Sequence, residues 1–229
     1  MRINNLVVKG QFIKRLNRFE AIVNIDGEEN LVHVPNTGRC RELFIEGAVV
    51  LLEKRDGKQR KTSYELIMVY REEKLISIDS QLPNKLAEEA VRNNVIIELQ
   101  NYDYIKREVT FGDSRFDLYL EKDDEKTFVE VKGVTLEIDG VAKFPDAPTE
   151  RGTKHIYELI KAKEQGYRAC VLFVIQLDFA NYFTPNSIMD PKLAEALNAA
   201  KTAGVEIFAY SCQIKENEVL LYKSMEVRL

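Results

Sequence analysis

The sequence predicts a two-domain chain of the α+β or α/β class, in which a small β-barrel precedes a mixed sheet flanked by helices. Two observations support this fold class. Short segments of alternating polarity fill the first third of the chain, whereas the later two thirds interleave strand-like runs with segments of helical period. The pattern changes at Pro83 and Asn84, so the predicted domains are residues 1–82 and residues 83–229.

The predicted barrel consists of six short strands separated by residues that favour turns, such as Asp26-Gly27 and Asp56-Gly57. This arrangement is typical of a small barrel of the oligonucleotide-binding (OB) type. The strands are expected at residues 6–13, 19–26, 30–34, 48–54, 63–71 and 74–79.

A basic loop, residues 54–61, connects the fourth and fifth predicted strands and carries five bases and one acid. In OB barrels this loop is a common contact for nucleic acid. A run of charge is by itself more often a solvent-exposed hairpin tip, and fold analogy alone does not establish binding. If the loop binds DNA, its bases would contact phosphates without reading sequence. The expected contacts are Lys54, Arg55, Lys58, Arg60 and Lys61.

The composition bounds the class of protein. The net charge is −4, and the basic loop contributes +4, which leaves −8 on the rest of the chain and argues against coating nucleic acid by bulk electrostatics. No apolar run approaches the roughly 20 residues of a membrane-spanning helix, and the first residues lack a signal-peptide pattern. The three widely spaced cysteines suggest neither a disulfide framework nor a zinc site. We expect a cytoplasmic protein with reduced thiols and no membrane partner.

The second domain is predicted to begin with a helix that Asn84 caps and that extends to Leu99. Residues 168–177 form a continuous apolar run, as expected of a strand covered on both faces. The remaining strands are expected at residues 103–112, 115–121, 127–136 and 205–212, and the remaining helices at residues 149–165 and 190–203. This order of elements predicts a mixed sheet with helices packed against it.

Two neighbouring strands of this domain carry the residues with the clearest chemistry. The period of two turns Asp117 away from its apolar neighbours and puts Glu130 and Lys132 on one face. The apolar neighbours are Phe116, Leu118 and Leu120. The three charged groups meet only if the register sets Asp117 opposite Glu130 or Lys132. Pairing with Glu130 requires Glu121 to face Lys126 across a four-residue loop.

Two carboxylates make a hard oxygen site suited to Mg²⁺ or Mn²⁺, the cations used in phosphodiester hydrolysis. An adjacent lysine can position or deprotonate a water nucleophile. An Asp, twelve residues and then Glu-x-Lys is the PD-(D/E)XK arrangement of restriction-endonuclease-like nucleases. Alternating charges on a strand more often indicate exposed cross-strand salt bridges. The helix before this hairpin and the helix-strand unit after it favour the metal site instead.

The sequence as a whole resembles the sugar fermentation stimulation protein A family, with matching segments in both predicted domains. The most specific matching segment is residues 144–155, FPDAPTERGTKH, because a run of such mixed composition is rare by chance. The other matching segments are residues 34–39 (VPNTGR), 82–84 (LPN), 114–117 (SRFD) and 129–136 (VEVKGVTL). Cys40 stands where the family motif has Met. The resemblance implies an OB-like barrel, a PD-(D/E)XK nuclease-like domain and DNA binding with little sequence preference.

The resemblance also implies residue roles. Asp117 and Glu130 would be the metal ligands and Lys132 the catalytic lysine. Glu98 fits the accessory acid that this superfamily often places before the hairpin, and Glu108 is a rival for that role. Four residues of the last matching segment are further candidates: Arg151 and His155 for a phosphate, Asp146 and Glu150 for a second metal ion. A structural hydrogen bond is an equally good interpretation of His155.

Two functions fit these expectations. The first is a DNA-binding protein with a Mg²⁺-dependent nuclease site, acting on DNA or RNA. The second is a regulator that binds DNA without cutting it and is linked to sugar (maltose) metabolism, a link suggested only by the family's name. An enzyme acting on sugars has little support, because the chain has no tryptophan to stack on a sugar ring. The oligomeric state and the preferred nucleic acid are left open by the sequence.

Overall fold

The N-terminal domain is a closed five-stranded barrel with a sixth strand at one edge, which confirms the predicted OB-type barrel. The computed structural model describes residues 1–36, 38–57 and 60–229, so the predicted DNA contact Lys58 lies outside the described residues. The strands are β1 (Val7–Arg15), β2 (Glu20–Ile25), β3 (Glu28–His33), β4 (Val49–Lys54), β5 (Tyr64–Arg71) and β6 (Lys74–Ser77). The order β3-β2-β1-β4-β5-β6 closes because β5 also pairs with β3, through His33 and Glu65.

The barrel interior is filled by alternate residues of its strands. In β2, Ala21, Val23 and Ile25 are buried, at 0%, 0% and 7% exposure, while the residues between them are partly exposed. This is the alternation that a half-buried strand requires. The backbone of β1 at Gly10 lies close to β2. A Cβ at this position would be 2.6 Å from a methyl carbon of Val23.

The C-terminal domain is a six-stranded mixed sheet with helices on both faces, which confirms the predicted class. Its elements in chain order are α1 (Leu82–Arg92), β7 (Tyr104–Phe111), β8 (Ser114–Lys122), β9 (Glu125–Val134), β10 (Leu136–Ile138), β11 (Val141–Phe144), α2 (Glu150–Glu164), β12 (Arg168–Ile175), β13 (Tyr182–Pro185), α3 (Pro191–Thr202), β14 (Glu206–Lys215) and β15 (Glu218–Met225). The main sheet has the order β15-β14-β12-β9-β8-β7, in which β9, β12 and β14 are parallel. A small separate sheet contains β10, β11 and β13.

Strand β12 is covered on both faces, as its continuous apolar run predicts. Val171 and Phe173 pack in the hydrophobic cluster that contains residues of α2 and α3, whereas Leu172 and Val174 pack in the cluster that contains residues of α1. All four side chains are at most 1% exposed.

The start and end of the first helix differ from the prediction. Gln81, not Asn84, is the N-cap residue, and Asn84 lies within the first turn of α1. The helix ends at Arg92 because Asn94 adopts a left-handed φ of 55°, and residues 97–99 form a separate 3-10 turn. Strand β15 and the small sheet were not predicted.

The two domains contact each other through several specific bonds. The backbone N–H of Ser77 donates to the carbonyl of Gln176, whose side-chain amide donates to the carbonyl of Asp79. The backbone N–H of Arg39 donates to Asp146 across 2.9 Å. These bonds hold the barrel beside the end of the sheet where β9 and β12 terminate.

All three cysteines are buried free thiols. No helix among the described residues has both the length and the apolar character needed to cross a membrane.

Candidate active site

The hairpin of β8 and β9 has the register that the predicted site requires. Glu121 pairs with Lys126, and the pairing runs inward to Leu118 and Val129, so Asp117 is the next residue toward Glu130. The connection is shorter than predicted, because Lys122 also pairs with Glu125 and leaves a two-residue turn.

Asp117 lies where the regular pairing of β8 and β9 ends. Its Oδ2 atom accepts a hydrogen bond of 2.8 Å from the backbone N–H of Val131, and its Oδ1 atom accepts one of 2.6 Å from the side-chain amide of Asn84. Phe116 and Leu118 flank it but pack in different clusters, Phe116 in the one with α2 and Leu118 in the one with α1. The expectation that these two residues share a face was therefore wrong. The alternation is interrupted at the residue whose carboxylate bonds to β9.

Glu130 is the central and most buried charged residue of the site, at 2% exposure. Its Oε1 atom accepts a hydrogen bond of 2.5 Å from Lys132 and lies 2.5 Å from Nδ1 of His155 on α2. Its Oε2 atom is also buried and has no hydrogen-bond partner within the described part of the chain. A buried carboxylate oxygen without a partner is costly, so this atom is available to a ligand.

The two carboxylates have opposite pKa shifts. Burial, together with the nearby charge of Glu130, raises the pKa of Asp117 to about 6. Burial also acts to raise the pKa of Glu130, but Lys132 and His155 outweigh it and hold that pKa below the ordinary value. Glu130 is therefore ionised at neutral pH. The raised pKa of Asp117 means that the charged form of this carboxyl is less stable than usual.

The donor set fits a hard divalent cation. Asp117 and Glu130 offer carboxylate oxygens, and Oε2 of Glu130 has no partner in the part of the chain that the structure describes. In residues 1–36, 38–57 and 60–229, no three His, Cys, Asp or Glu side chains are grouped to hold a metal ion. A cation held here would thus have two carboxylates from the protein and complete its shell with water or substrate oxygens, which is the usual mode for Mg²⁺.

The structure does not bring either proposed accessory acid to this cluster. The Glu98 carboxylate accepts a hydrogen bond of 2.6 Å from Tyr210, and the Glu98 carbonyl accepts one from Arg168 at the start of β12. Glu108 is exposed and pairs with Arg115 across 3.5 Å. Among the described contacts, none joins Glu98 or Glu108 to Asp117 or Glu130, so the accessory role has no geometric support.

The remaining candidates, which come from the last matching segment, differ in how deeply their side chains are buried. His155 is 7% exposed and contacts Glu130, whereas Arg151, one turn earlier on α2, is exposed. Asp146 accepts the backbone N–H of Arg39 at the contact between the domains. Glu150 is exposed at the first position of α2. His155 is thus the one of these four that the described contacts join to Glu130.

The basic loop connects β4 and β5, as predicted, but acids pair with most of its described bases. Arg55 and Arg60 both bond to Glu65, and Lys61 bonds to Glu20 across 2.6 Å. Lys54 is exposed at the end of β4. The loop therefore presents less free positive charge than its sequence suggests.

Asn84 is the residue that sequence reasoning missed. Its side chain fixes Asp117, although the sequence placed it as a helix cap. A signal was present, because Asn84 lies in a short segment, LPN, that matches the family. Nothing local distinguishes an amide that caps a helix from one that bonds across to a strand.

Comparisons with known proteins agree with this architecture. The family model described as the sugar fermentation stimulation protein RE domain matches residues 81–218, and the model described as the SfsA N-terminal OB domain matches residues 13–78. The sugar fermentation stimulation protein homolog of Caldanaerobacter subterraneus subsp. tengcongensis is 54% identical over 229 residues, and that of Clostridium perfringens (strain 13) is 55% identical over 230 residues. Both alignments cover 100% of each chain.

Among solved structures, Pyrococcus furiosus SfsA in complex with Ca²⁺ superposes with a TM-score of 0.91 at 33% identity, covering 100% of both chains. Full-length similarity in both sequence and structure leaves one conclusion. The chain belongs to the sugar fermentation stimulation protein family, with an N-terminal OB barrel and a C-terminal restriction-endonuclease-like domain.

Proposed function

We propose that the protein binds DNA and hydrolyses phosphodiester bonds at a Mg²⁺- or Mn²⁺-dependent site formed by Asp117, Glu130 and Lys132. The observation that carries this proposal is the buried Oε2 atom of Glu130, which has no hydrogen-bond partner among the described residues. A second carboxylate, that of Asp117, lies close enough for the charge of Glu130 to raise its pKa. The solved structure of Pyrococcus furiosus SfsA is a complex with Ca²⁺, a hard cation that prefers the same oxygen ligands. This supports a divalent cation in the present chain.

Asp117 and Glu130 would hold the cation, and other residues hold these ligands in place. Asn84 and the backbone of Val131 orient the Asp117 carboxylate, and His155 orients that of Glu130. When bound, the cation would neutralise the charge that develops on the phosphate and lower the pKa of water. Such supporting bonds commonly change metal affinity or activity by about 10- to 100-fold when removed.

Lys132 has a separate role. Its side chain is 15% exposed and its ammonium group is anchored on Oε1 of Glu130, which keeps it beside the proposed cation ligand. From there it donates hydrogen bonds that position the water or stabilise the oxygen charge.

A regulator that binds DNA without cutting it is the competing function. The buried carboxylates argue against it, because two acids near a phosphate repel DNA unless a cation offsets them. A protein that only binds has no use for that arrangement.

The test is incubation of the purified protein with labelled single- and double-stranded DNA and RNA in EDTA, Mg²⁺ or Mn²⁺. We expect cleavage with either cation and none in EDTA. Glu130→Ala should abolish cleavage and the tightening of DNA binding by the cation, yet bind DNA in EDTA at least as well as the unmodified protein. Lys132→Ala should retain cation binding and lose hydrolysis.

Glu158→Ala is the matched control. Glu158 is another buried carboxylate with a lysine partner, Lys161 at 2.7 Å, and it lies one turn beyond His155 on α2. We expect this variant to keep both cleavage and the cation response. If Glu130→Ala and Lys132→Ala also keep both in a preparation that binds DNA, the cluster is a structural ion-pair network and the regulator is the correct interpretation.

A further inference from the structure

A path of three grooves that share lining residues runs from the barrel toward the strand that carries Lys132. It begins in a barrel groove between the β1–β2 loop and the basic loop, which Arg18 and Phe19 line. Arg18 also lines a bridging groove with Arg39, Arg41 and Pro148. Pro148 in turn lines a cleft between the domains that reaches Gly133 and Thr149. Gly133 follows Lys132, and Thr149 caps the helix that carries His155.

The bridging groove carries three exposed arginines, whereas acids pair with most of the described bases of the basic loop. Arg18, Arg39 and Arg41 are exposed, and no carboxylate of the described residues lies within ion-pair distance of their side chains. By contrast, Arg60 and Lys61 of the basic loop are each paired with an acid. Phosphates of a nucleic acid bound along the path would therefore contact unpaired arginines in the bridging groove.

Arg15 fixes the two loops that present these arginines. Its guanidinium donates to the carbonyls of Arg18, at 2.8 Å, and of Gly38 and Arg39, at 2.7 and 3.0 Å. Its guanidinium also lies 4.9 Å from the ring centroid of Phe44. Because one side chain ties both loops, the groove is ordered before a ligand arrives, which lowers the entropy cost of binding.

Phe19 gives the path an aromatic platform. Its ring is 51% exposed and stacks on the ring of His33, with centroids 6.5 Å apart and an interplanar angle of 14°. Its backbone N–H donates to Asn17 across 2.8 Å, which fixes the turn. An exposed aromatic ring beside arginines is the combination on which single-stranded nucleic acid stacks its bases.

We propose that this path is a track for one strand of nucleic acid, whose phosphates contact Arg18, Arg39 and Arg41 and one of whose bases stacks on Phe19. This proposal rests on the proposed function and adds its substrate class, an unpaired strand led past Gly133 to Lys132. A duplex keeps its base faces stacked inside the helix and cannot use Phe19.

Binding is measured in EDTA, where no cleavage occurs, by fluorescence anisotropy with a labelled oligothymidine at several salt concentrations. The triple variant Arg18→Gln, Arg39→Gln, Arg41→Gln should lower affinity and reduce the slope of log affinity against log salt by about two units. The matched control is Lys192→Gln, Lys201→Gln, Lys215→Gln, which removes the same charge from exposed residues outside the path. The control should leave the slope unchanged.

Phe19→Leu should weaken oligothymidine binding at least about fivefold. It should not affect an abasic strand of the same length or a duplex, and circular dichroism should show an unchanged fold. Equal losses for oligothymidine and the abasic strand would overturn the stacking role. Equal slopes for the two triple variants would overturn the track while leaving the proposed nuclease intact. Unmodified protein that binds no oligonucleotide would overturn both proposals.

Discussion

The side-chain amide of Asn84 donates a hydrogen bond of 2.6 Å to Oδ1 of Asp117, and so joins the first turn of α1 to the strand that carries a predicted metal ligand. Asn84→Ala removes that bond and frees the carboxylate to rotate. We expect about 10- to 100-fold weaker Mn²⁺ affinity by calorimetry, with a parallel loss of cleavage. The cost in the free energy of unfolding should be about 1–3 kcal/mol.

Asn198→Ala is the control for this variant, because the Asn198 amide also donates a hydrogen bond, of 2.9 Å, but on the exposed face of α3. It should not change Mn²⁺ affinity. Equal affinities for the Asn84 and Asn198 variants would show that Asn84 supports α1 alone.

The raised pKa of Asp117 predicts that the free energy of unfolding of the metal-free protein depends on pH. In the unfolded chain this carboxyl titrates near 3.8, whereas in the folded protein its pKa is about 6. The folded state therefore binds this proton more tightly, so the group favours folding below pH 4 and this advantage is lost as the pH rises through about 6. Above pH 7 the buried charge costs up to about 3 kcal/mol.

Asp117→Asn should remove that cost. In urea unfolding with EDTA, the variant should gain stability relative to the unmodified protein as the pH is raised from 5 to 8. Added Mn²⁺ should reverse the difference, because the unmodified protein alone keeps both carboxylates. A stability difference that does not vary with pH would contradict the assigned pKa.

Gly133 holds α1 close to the end of β9. A Cβ at this position would lie 2.7 Å from Cγ of Pro83 and 2.7 Å from Oε1 of Gln176. Gly133→Ala should therefore push away the turn that carries Asn84 and destabilise the protein by about 1–3 kcal/mol. We also expect weaker Mn²⁺ binding, since Asn84 would move away from Asp117.

Gly57→Ala is the comparison for this substitution. Its Cβ would meet only the flexible side chain of Arg60, at 3.3 Å, so chemical denaturation should show a change within about 0.5 kcal/mol. If Gly133→Ala changes the free energy of unfolding as little as Gly57→Ala does, the contact between α1 and β9 is looser than these distances indicate.

Local pattern was sufficient to predict the barrel strands, five strands of the main sheet, the class of fold and the charged hairpin. Alternation and turn residues carry that information, because they depend on neighbours within a few positions. The same pattern showed that the site requires Glu121 to pair with Lys126. The pairing of β8 with β9 has this register. The family resemblance added the roles of Asp117, Glu130 and Lys132, which remain predictions until the variants are measured.

Tertiary structure decided the partners of each charged group. Sequence could not show that Asn84 bonds to Asp117, that Glu98 bonds to Tyr210, or that Lys61 is paired with Glu20, because each bond joins segments distant along the chain. Packing of whole elements sets those distances. The sequence by itself therefore determined which faces are charged, and the packing of α1, the hairpin and the barrel loops determined which of those charges are left for a ligand.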